Sequence, residues 1–238
     1  MMKIVTCNIY KDYNLGGPSI LYGIDELMKH LYGNDYEILN FENRYVPEPI
    51  ANTIPMKTVC HGLIRKRNLV AFLLGNEHIL GIAAILKELK KADVIIDLFG
   101  ICFCDNLVSK NPARILYPLH FFNSAAIPYL AKKLCRKKVI KNTASYGPIN
   151  NEFNKKSAEY FCNNIYDVMV AREEKSCQTL RNLGTIKQEV LLAPDIANLM
   201  PYDRNIKVNE SKISISVSHQ IKRSEEHTSE LQSLAYLV

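Results

Sequence analysis

Apolar residues along most of this chain fall into short runs that alternate with longer stretches of helical period. Lys3–Ile9 and Tyr36–Phe41 predict strands, and between them apolar side chains recur on one face of a helix opened by Pro18. Proline suits the first helical position, and Gly33 supplies a stop signal. A strand, a loop, a helix and a second strand at the start of a chain favour a parallel sheet.

The same alternation continues to about residue 200. Residues 42–58 carry three prolines and predict an irregular excursion. Further helices are predicted over about 66–75 and 77–91, and over Glu152–Asn164 and Glu173–Leu183. Another helix is predicted after a loop at 100–112 and ends near Cys135. Further strands are predicted over Asp93–Phe99, Lys138–Asn142, Tyr166–Ala171 and Glu189–Leu192. The predicted fold class is therefore α/β, a doubly wound Rossmann-like parallel sheet over residues 1–200.

The remaining residues follow a different pattern. Residues 201–211 are polar and predict a linker, and residues 212–222 begin with alternating polar and β-branched positions typical of the first strand of a second, truncated domain. Residues 223–238 show neither the helical nor the strand period of apolar residues, and they resemble the translated read-through of a sequencing adapter. We interpret them as a non-native tail rather than an amphipathic segment and exclude them from fold reasoning.

The formal net charge of +6 comes from short clusters, chiefly Arg65–Arg67 and the lysines and arginine of 132–138. Such clusters are compatible with a solvated basic surface or with attraction of an anionic substrate, a nucleotide or a membrane surface. No basic stretch is interleaved with aromatic residues, so we expect no nucleic-acid partner.

The cysteines and the start of the chain favour a reducing, cytoplasmic location. Seven cysteines are scattered, most of them within apolar runs, and no secretory signal precedes the first strand. The longest apolar stretch, 69–89, is interrupted by Asn76, Glu77 and His78 and falls short of a membrane span. Cys102-x-Cys104 has no second pair at zinc spacing, so we predict no metal site.

Candidate chemistry lies where ligands bind in such sheets, beyond the carboxyl ends of the strands. Four segments converge there: Asn14–Ser19 with Gly16 and Gly17, Asp97–Gly100, Ser145–Pro148 and Val170–Ser176. Glycines before a helix let a ligand approach backbone N–H groups, although no Gly-x-Gly-x-x-Gly fingerprint occurs. Arg172 leaves a strand at a helix start, a position that suits a phosphate or carboxylate or, alternatively, a salt bridge to a neighbouring acid.

The order of these segments resembles the polysaccharide pyruvyl transferase family. The resemblance runs from Lys3 to about Ile221. The motifs that carry it are Asn-x-Gly-Gly-Pro-Ser after the first strand, Ala-Asp-Val-Ile-Ile-Asp before a glycine loop, Ser-Tyr-Gly-Pro, Ala-Arg-Glu-x-x-Ser and Ala-Pro-Asp. One departure from the family pattern is the segment Asp97–Gly100, which stands where the family has a glycine-rich loop. The backbone contacts that the family makes there are therefore not assigned to this segment.

The resemblance implies a GT-B-like architecture of two Rossmann-like domains, of which this chain would hold the N-terminal half. It implies transfer of a pyruvyl group from phosphoenolpyruvate to sugar hydroxyls of a surface glycan as a ketal, with no cofactor besides that donor. By the resemblance, Arg172 and Ser176 belong to the donor-binding segment, Asn14, Gly16 and Gly17 to a loop facing the cleft, and Asp97 to the substrate-binding set.

The same resemblance places the catalytic residues in the second domain, in an Arg-x-His segment that this chain lacks. We therefore expect the chain by itself to be inactive. His120, in an apolar helix region, is interpreted as a core residue, and His219 follows the last strand. The expected partners are phosphoenolpyruvate, a glycan or lipid-linked saccharide acceptor, and peripheral contact with a membrane.

Two other functions stay open from the sequence. One is a GT-B glycosyltransferase that uses a nucleotide-sugar, and the other is a non-catalytic Rossmann-like binding module. Against a receiver module, the first strand ends in Cys7-Asn8-Ile9, without a terminal acidic pair.

Overall fold

The computed structural model describes residues 1–9, 16–42, 56–61, 79–105 and 117–201. They belong to one compact unit, Met1–Pro201. The predicted helix over 66–75, the linker, the strand at 212–222 and the tail lie outside the described residues. The domain boundaries and the two-domain architecture thus stay predictions.

Strands and helices alternate along the described chain. The strands are β1 (Met2–Cys7), β2 (Tyr36–Glu42), β3 (Lys57–His61), β4 (Ile79–Leu80), β5 (Val94–Asp97), β6 (Ile101–Cys102), β7 (Lys138–Tyr146), β8 (Val168–Ala171) and β9 (Val190–Leu192). The helices are α1 (Gly16–Tyr32), α2 (Ile82–Lys91), α3 (Tyr117–Lys133), α4 (Glu152–Asn164) and α5 (Glu174–Arg181), followed by a 3₁₀ helix (Ile196–Leu199).

All described strand pairs are parallel, and the strand order is β4-β3-β2-β1-β5-β7-β8-β9, with β6 pairing to the end of β7. The order reverses between β1 and β5, where Ile4 lies opposite Val94 and Cys7 opposite Asp97. In open sheets of this kind, ligands bind beyond the carboxyl ends of the strands at such a reversal. The predicted α/β class is confirmed.

Helices cover both faces of the sheet, as a doubly wound fold requires. Successive strand residues point to opposite faces, so Ile4 packs with α1 on one side and Val5 with the other helices on the opposite side. Buried side chains of α2 through α5 fill the second face, among them Leu89 and Phe161. Burial on both faces explains why the central strands are almost continuously apolar.

Two predicted stretches differ from the structure before residue 91. The irregular excursion predicted over 42–58 ends earlier, because β3 begins at Lys57. The predicted helix over 77–91 is a short strand β4 followed by α2, which begins at Ile82. β3 pairs with β2, and β4 pairs with β3. Strands this short form because neighbouring backbone is available for pairing, which local sequence does not reveal.

The predicted strand Asp93–Phe99 is also interrupted. β5 ends at Asp97, the chain bends through Leu98–Gly100, and β6 resumes pairing opposite Ser145 and Tyr146. β7 therefore runs to Tyr146, past the predicted end at Asn142 and into the first two residues of the Ser145–Pro148 segment, for which a turn was expected. Phe99 is the residue that leaves the ladder, because the Leu98 N–H still donates to Cys7 O at 3.0 Å and the Gly100 carbonyl accepts the Ser145 N–H at 2.9 Å.

Candidate functional site

The carboxyl ends of the parallel strands meet at one edge, and most of the predicted site residues lie there. α1 begins at this edge after β1, with Gly16 exposed and Gly17 buried at its first two positions. Asn14 lies outside the described residues. Arg172, Ser176 and Asp97 lie at the ends of β8 and β5 or just beyond them.

Arg172 is anchored on one side and open on the other. Its Nε donates to Ser145 Oγ at 2.6 Å and lies 3.3 Å from Glu173 Oε2, while its Nη1 donates to Asp195 Oδ2 at 3.0 Å. No residue in the described part of the chain accepts a hydrogen bond from Nη2, and the side chain is 30% exposed. The salt-bridge interpretation is therefore correct, yet the guanidinium retains donors for an anion.

Glu173 joins two serines beneath the arginine. Its Oε2 accepts a hydrogen bond from Ser145 Oγ at 3.1 Å, and its Oε1 accepts one from Ser176 Oγ. Ser176 is buried, and its hydroxyl also accepts the Tyr146 N–H at 2.8 Å. Ser176 thus lies in the Arg172 cluster and orients Glu173 from below.

Asp195 is fixed by the segment that follows it. Its Oδ1 caps the 3₁₀ helix by accepting the Ala197 N–H at 3.0 Å, which leaves Oδ2 for Arg172. The helix packs against α1 at Gly23, where an added Cβ would lie 2.0 Å from Ile196 O. Glycine at position 23 therefore sets how closely α1 approaches the residue that holds the arginine.

A second charged cluster lies inside the sheet at β5. Asp97 Oδ1 is 3.2 Å from Lys141 Nζ, and both side chains are almost completely buried. The same oxygen accepts from Asn8 Nδ2 at 2.9 Å, and Oδ2 accepts from the Tyr166 hydroxyl at 2.7 Å. These protein donors occupy the carboxylate, so Asp97 reaches no ligand directly in this structure.

Burial and charge act against each other on Lys141. Burial alone would lower the pKa of the ammonium, but the attraction of Asp97 outweighs it, and the pKa is raised. Burial also raises the pKa of the Tyr166 hydroxyl well above its usual value, and the neighbouring Asp97 adds to the rise. The Lys141 ammonium is therefore held beside the Asp97 carboxylate, and the Tyr166 hydroxyl donates to the same carboxylate.

Gly100 links the two clusters. Its carbonyl accepts the Ser145 N–H at 2.9 Å, and Ser145 Oγ in turn contacts Arg172. A Cβ placed on Gly100 would lie 4.0 Å from Arg172 Nη1. The turn at residues 98–100 therefore forms part of the surroundings of the arginine.

A fourth carboxylate at this edge, Asp105, organises the start of α4. It accepts the Asn150 N–H at 2.5 Å, the Asn151 N–H and Asn154 Nδ2 at 2.7 Å. Partial burial acts to raise the pKa of Asp105, but these hydrogen bonds outweigh it and lower the pKa.

Sequence reasoning identified Arg172 and its motif but missed the buried partners of Asp97. Lys141, Tyr166 and Asn8 carry no motif. A signal for Lys141 was present: in β7 it has the strand period of Val139, so it shares a face with a fully buried valine. Its partner could not be read from sequence, because Asp97 lies on a neighbouring strand.

No helix in the described ranges is long and apolar enough to cross a bilayer.

A parallel α/β sheet with helices on both faces and an anchored, partly exposed arginine at its carboxyl edge defines a Rossmann-like protein. The chain belongs to the polysaccharide pyruvyl transferase family, whose model matches residues 14–237. It matches no curated protein. Among solved structures it is similar to HepE from Anabaena in complex with UDP and glucose, with 11% sequence identity and a TM-score of 0.46. That match covers 82% of this chain and 44% of the HepE chain, so this chain spans less than half of that length.

Proposed function

We propose that this chain provides the donor side of a cytoplasmic transferase that moves a pyruvyl group from phosphoenolpyruvate to a surface glycan or its lipid-linked precursor. Family membership supports the transferase class. The donor, the ketal product and the acceptor are the parts that require experiment. Contact of the whole protein with a membrane, where a lipid-linked acceptor would reside, is part of the same proposal.

The proposed reaction needs positive charge near the donor. A proton adds to the methylene carbon of phosphoenolpyruvate, and one sugar hydroxyl then bonds to C2 and loses its proton. A second hydroxyl displaces the phosphate at C2 and also loses its proton, which gives a cyclic ketal and inorganic phosphate. Groups that hold the phosphate and carboxylate stabilise the leaving charge and fix C2 against the hydroxyls.

Arg172 is the observation that carries this proposal. Its planar fork can bind a phosphate or carboxylate, and Ser145 and Asp195 hold it in one orientation before any ligand arrives. Its position beyond the parallel strands agrees with where ligands bind in this fold. Two carboxylates, those of Glu173 and Asp195, lie within 3.3 Å of this one guanidinium, so we expect an anionic donor to displace at least one of them or to need further cations from elsewhere in the protein.

Glu173 is a poor candidate for the proton donor. Both of its oxygens accept hydrogen bonds from serine hydroxyls, an arrangement that fits an orienting role. We therefore place the general acid outside the described residues. Because no Arg-x-His segment occurs in the sequence, we expect this chain by itself to bind the donor without turnover.

The direct test is a titration of the ¹⁵N-labelled chain with phosphoenolpyruvate, followed at the arginine Nε–Hε signals. We expect the Arg172 signal to shift with saturation, because its Nε lies within the proposed site. Inorganic phosphate should give a smaller effect than phosphoenolpyruvate, since it lacks the carboxylate. A uridine diphosphate sugar should leave the signal in place.

Two variants control this titration. Arg172→Ala should abolish the response of the rest of the site while changing the free energy of unfolding by less than about 1 kcal/mol, because the arginine is partly exposed. Arg181→Ala removes a more exposed arginine paired to Glu174 and should leave the titration unchanged. An Arg172 signal that ignores phosphoenolpyruvate but moves with the nucleotide-sugar would replace the proposal by the glycosyltransferase alternative.

A further inference from the structure

The buried ion pair between Asp97 of β5 and Lys141 of β7 is not needed to form a parallel sheet. Removing two charges from water carries a cost that an apolar pair of similar size would avoid. Lys141 and Asp97 nevertheless lie in a part of the sheet that also holds the buried apolar residues Ile95, Ile96 and Val139. Their location coincides with the interruption of the β5–β6 strand at residues 98–100.

The pair holds both backbone polar groups of Phe99. The Phe99 N–H donates to Asp97 Oδ1 at 3.1 Å, and the Phe99 carbonyl accepts from Lys141 Nζ at 2.7 Å. Neither group can join the sheet ladder where the chain bends outward. The two side chains therefore pair both polar groups of a half-buried residue, and Cys102 Sγ is a weak second donor to the same carbonyl at 3.5 Å.

The bend they stabilise places Gly100 beside the arginine. Gly100 O accepts the Ser145 N–H, and Ser145 Oγ accepts from Arg172 Nε. A shift of Phe99 would be passed to Gly100 and then to the hydroxyl that orients the guanidinium. The route consists of the Phe99–Gly100 peptide bond and two hydrogen bonds, from Ser145 N–H to Gly100 O and from Arg172 Nε–H to Ser145 Oγ.

We propose that Lys141 and Asp97 are positioning residues, which shape the anion site at Arg172 by clamping the backbone of Phe99. This inference rests on the proposed function for its ligand, but the clamp itself is a property of the free chain. Lys141 is fully buried and Asp97 nearly so, and they act through Phe99, Gly100 and Ser145 without touching the donor.

The test compares two double variants that differ only at position 141. Asp97→Asn with Lys141→Met removes the ion pair and the donor to Phe99 O. Asp97→Asn with Lys141→Gln removes the same charges but keeps an amide that can donate to that carbonyl. Because both are neutral and similar in size, loss of the buried charge is matched between them.

We expect the methionine variant to bind phosphoenolpyruvate roughly tenfold or more weakly than the unaltered chain, because small misplacements of binding groups have effects of this order or larger. The glutamine variant should recover most of that affinity. Equal affinity in all three chains would overturn the inference, as would equal loss in the two folded variants. Circular dichroism and thermal melting establish that both are folded.

The ligand-free spectra separate this inference from the proposed function. The Arg172 Nε–Hε signal should move in the methionine variant, and the Ser145 amide should exchange faster, because Gly100 is no longer held. The glutamine variant should restore both signals. If the unaltered chain ignores phosphoenolpyruvate, the proposed function fails, yet these signals still decide the clamp. Unchanged ligand-free signals in the methionine variant would refute the clamp.

Discussion

Two charged clusters at the same edge of one sheet differ in their access to water. Asp97 and Lys141 are enclosed, and protein donors and acceptors engage the charged atoms of both side chains. Arg172 meets two carboxylates and a hydroxyl but remains 30% exposed. The enclosed pair can only fix structure, whereas the open arginine can exchange part of its surroundings for a ligand.

The difference follows from the strands that carry the residues. β5 and β7 lie inside the sheet and are covered on both faces, so charge there must be neutralised within the protein. Arg172 follows β8, beyond the last ladder pair of that strand. The buried Asp97–Lys141 pair is fixed, and Arg172 lies at the same edge with access to solvent. A site supported in this way is oriented before a ligand binds, which reduces the entropy cost of binding.

The largest effect is expected from breaking the enclosed pair on one side. Lys141→Met leaves Asp97 buried without its counter-ion and should lower the free energy of unfolding by about 3–5 kcal/mol. Urea unfolding at neutral pH measures the loss. The double variant with Asp97→Asn should lose clearly less, because no charge is stranded. A loss below about 1 kcal/mol for the single variant would mean that water reaches the pair.

A smaller effect is expected beneath the open cluster. Gly23→Ala would bring a Cβ to within 2.0 Å of Ile196 O unless α1 moves, and overpacking of this kind costs about 1–3 kcal/mol. The higher helix propensity of alanine offsets part of that loss, by about 1 kcal/mol. Because the 3₁₀ helix carries Asp195, the Arg172 Nε–Hε signal should shift as well.

Glu26→Ala is the matched control for that substitution. Glu26 lies on the same helix, and its ion pair with Lys29 is a loose, exposed contact of 3.8 Å. It should leave both stability and the arginine signal nearly unchanged. A Gly23→Ala chain as stable as the control, with an unmoved signal, would show that α1 does not set the position of Asp195.

The smallest effect should come from Asp105, a carboxylate at this edge that is far more exposed than Asp97. Its hydrogen bonds lower its pKa below the ordinary value of 3.8, so the stability it contributes is present above that pH and is lost as the pH falls through the lowered pKa. Solvent screening limits the contribution to at most about 1 kcal/mol.

Urea unfolding of the chain and of Asp105→Asn between pH 6 and pH 3 tests this sign. The difference in stability between the two chains should be largest near pH 6 and should shrink below about pH 4. A difference that grows on acidification would indicate that the Asp105 pKa is raised in the folded chain.

Local pattern was sufficient for much of the fold. α4 has the predicted bounds, Glu152–Asn164, because an asparagine cap and a helical period coincide there. β1 and β2 agree with their predictions within two residues, since apolar runs between turn signals are a local property. β3 and β4 were missed because β3 forms by pairing with β2 and β4 by pairing with β3, and such pairing is not a property of the local sequence.

For the site, sequence alone determined that an arginine follows a strand at the start of a helix, with Ser176 one helical turn further along. Tertiary structure decided which residues surround it. Asp195, Ser145 and Gly100 come from three different strand ends, and only parallel pairing brings them to one edge. The Asp97–Lys141 clamp was decided in the same way, because an ion pair across neighbouring strands depends on register, and register is fixed by burial of whole strands rather than by the residues that form the pair.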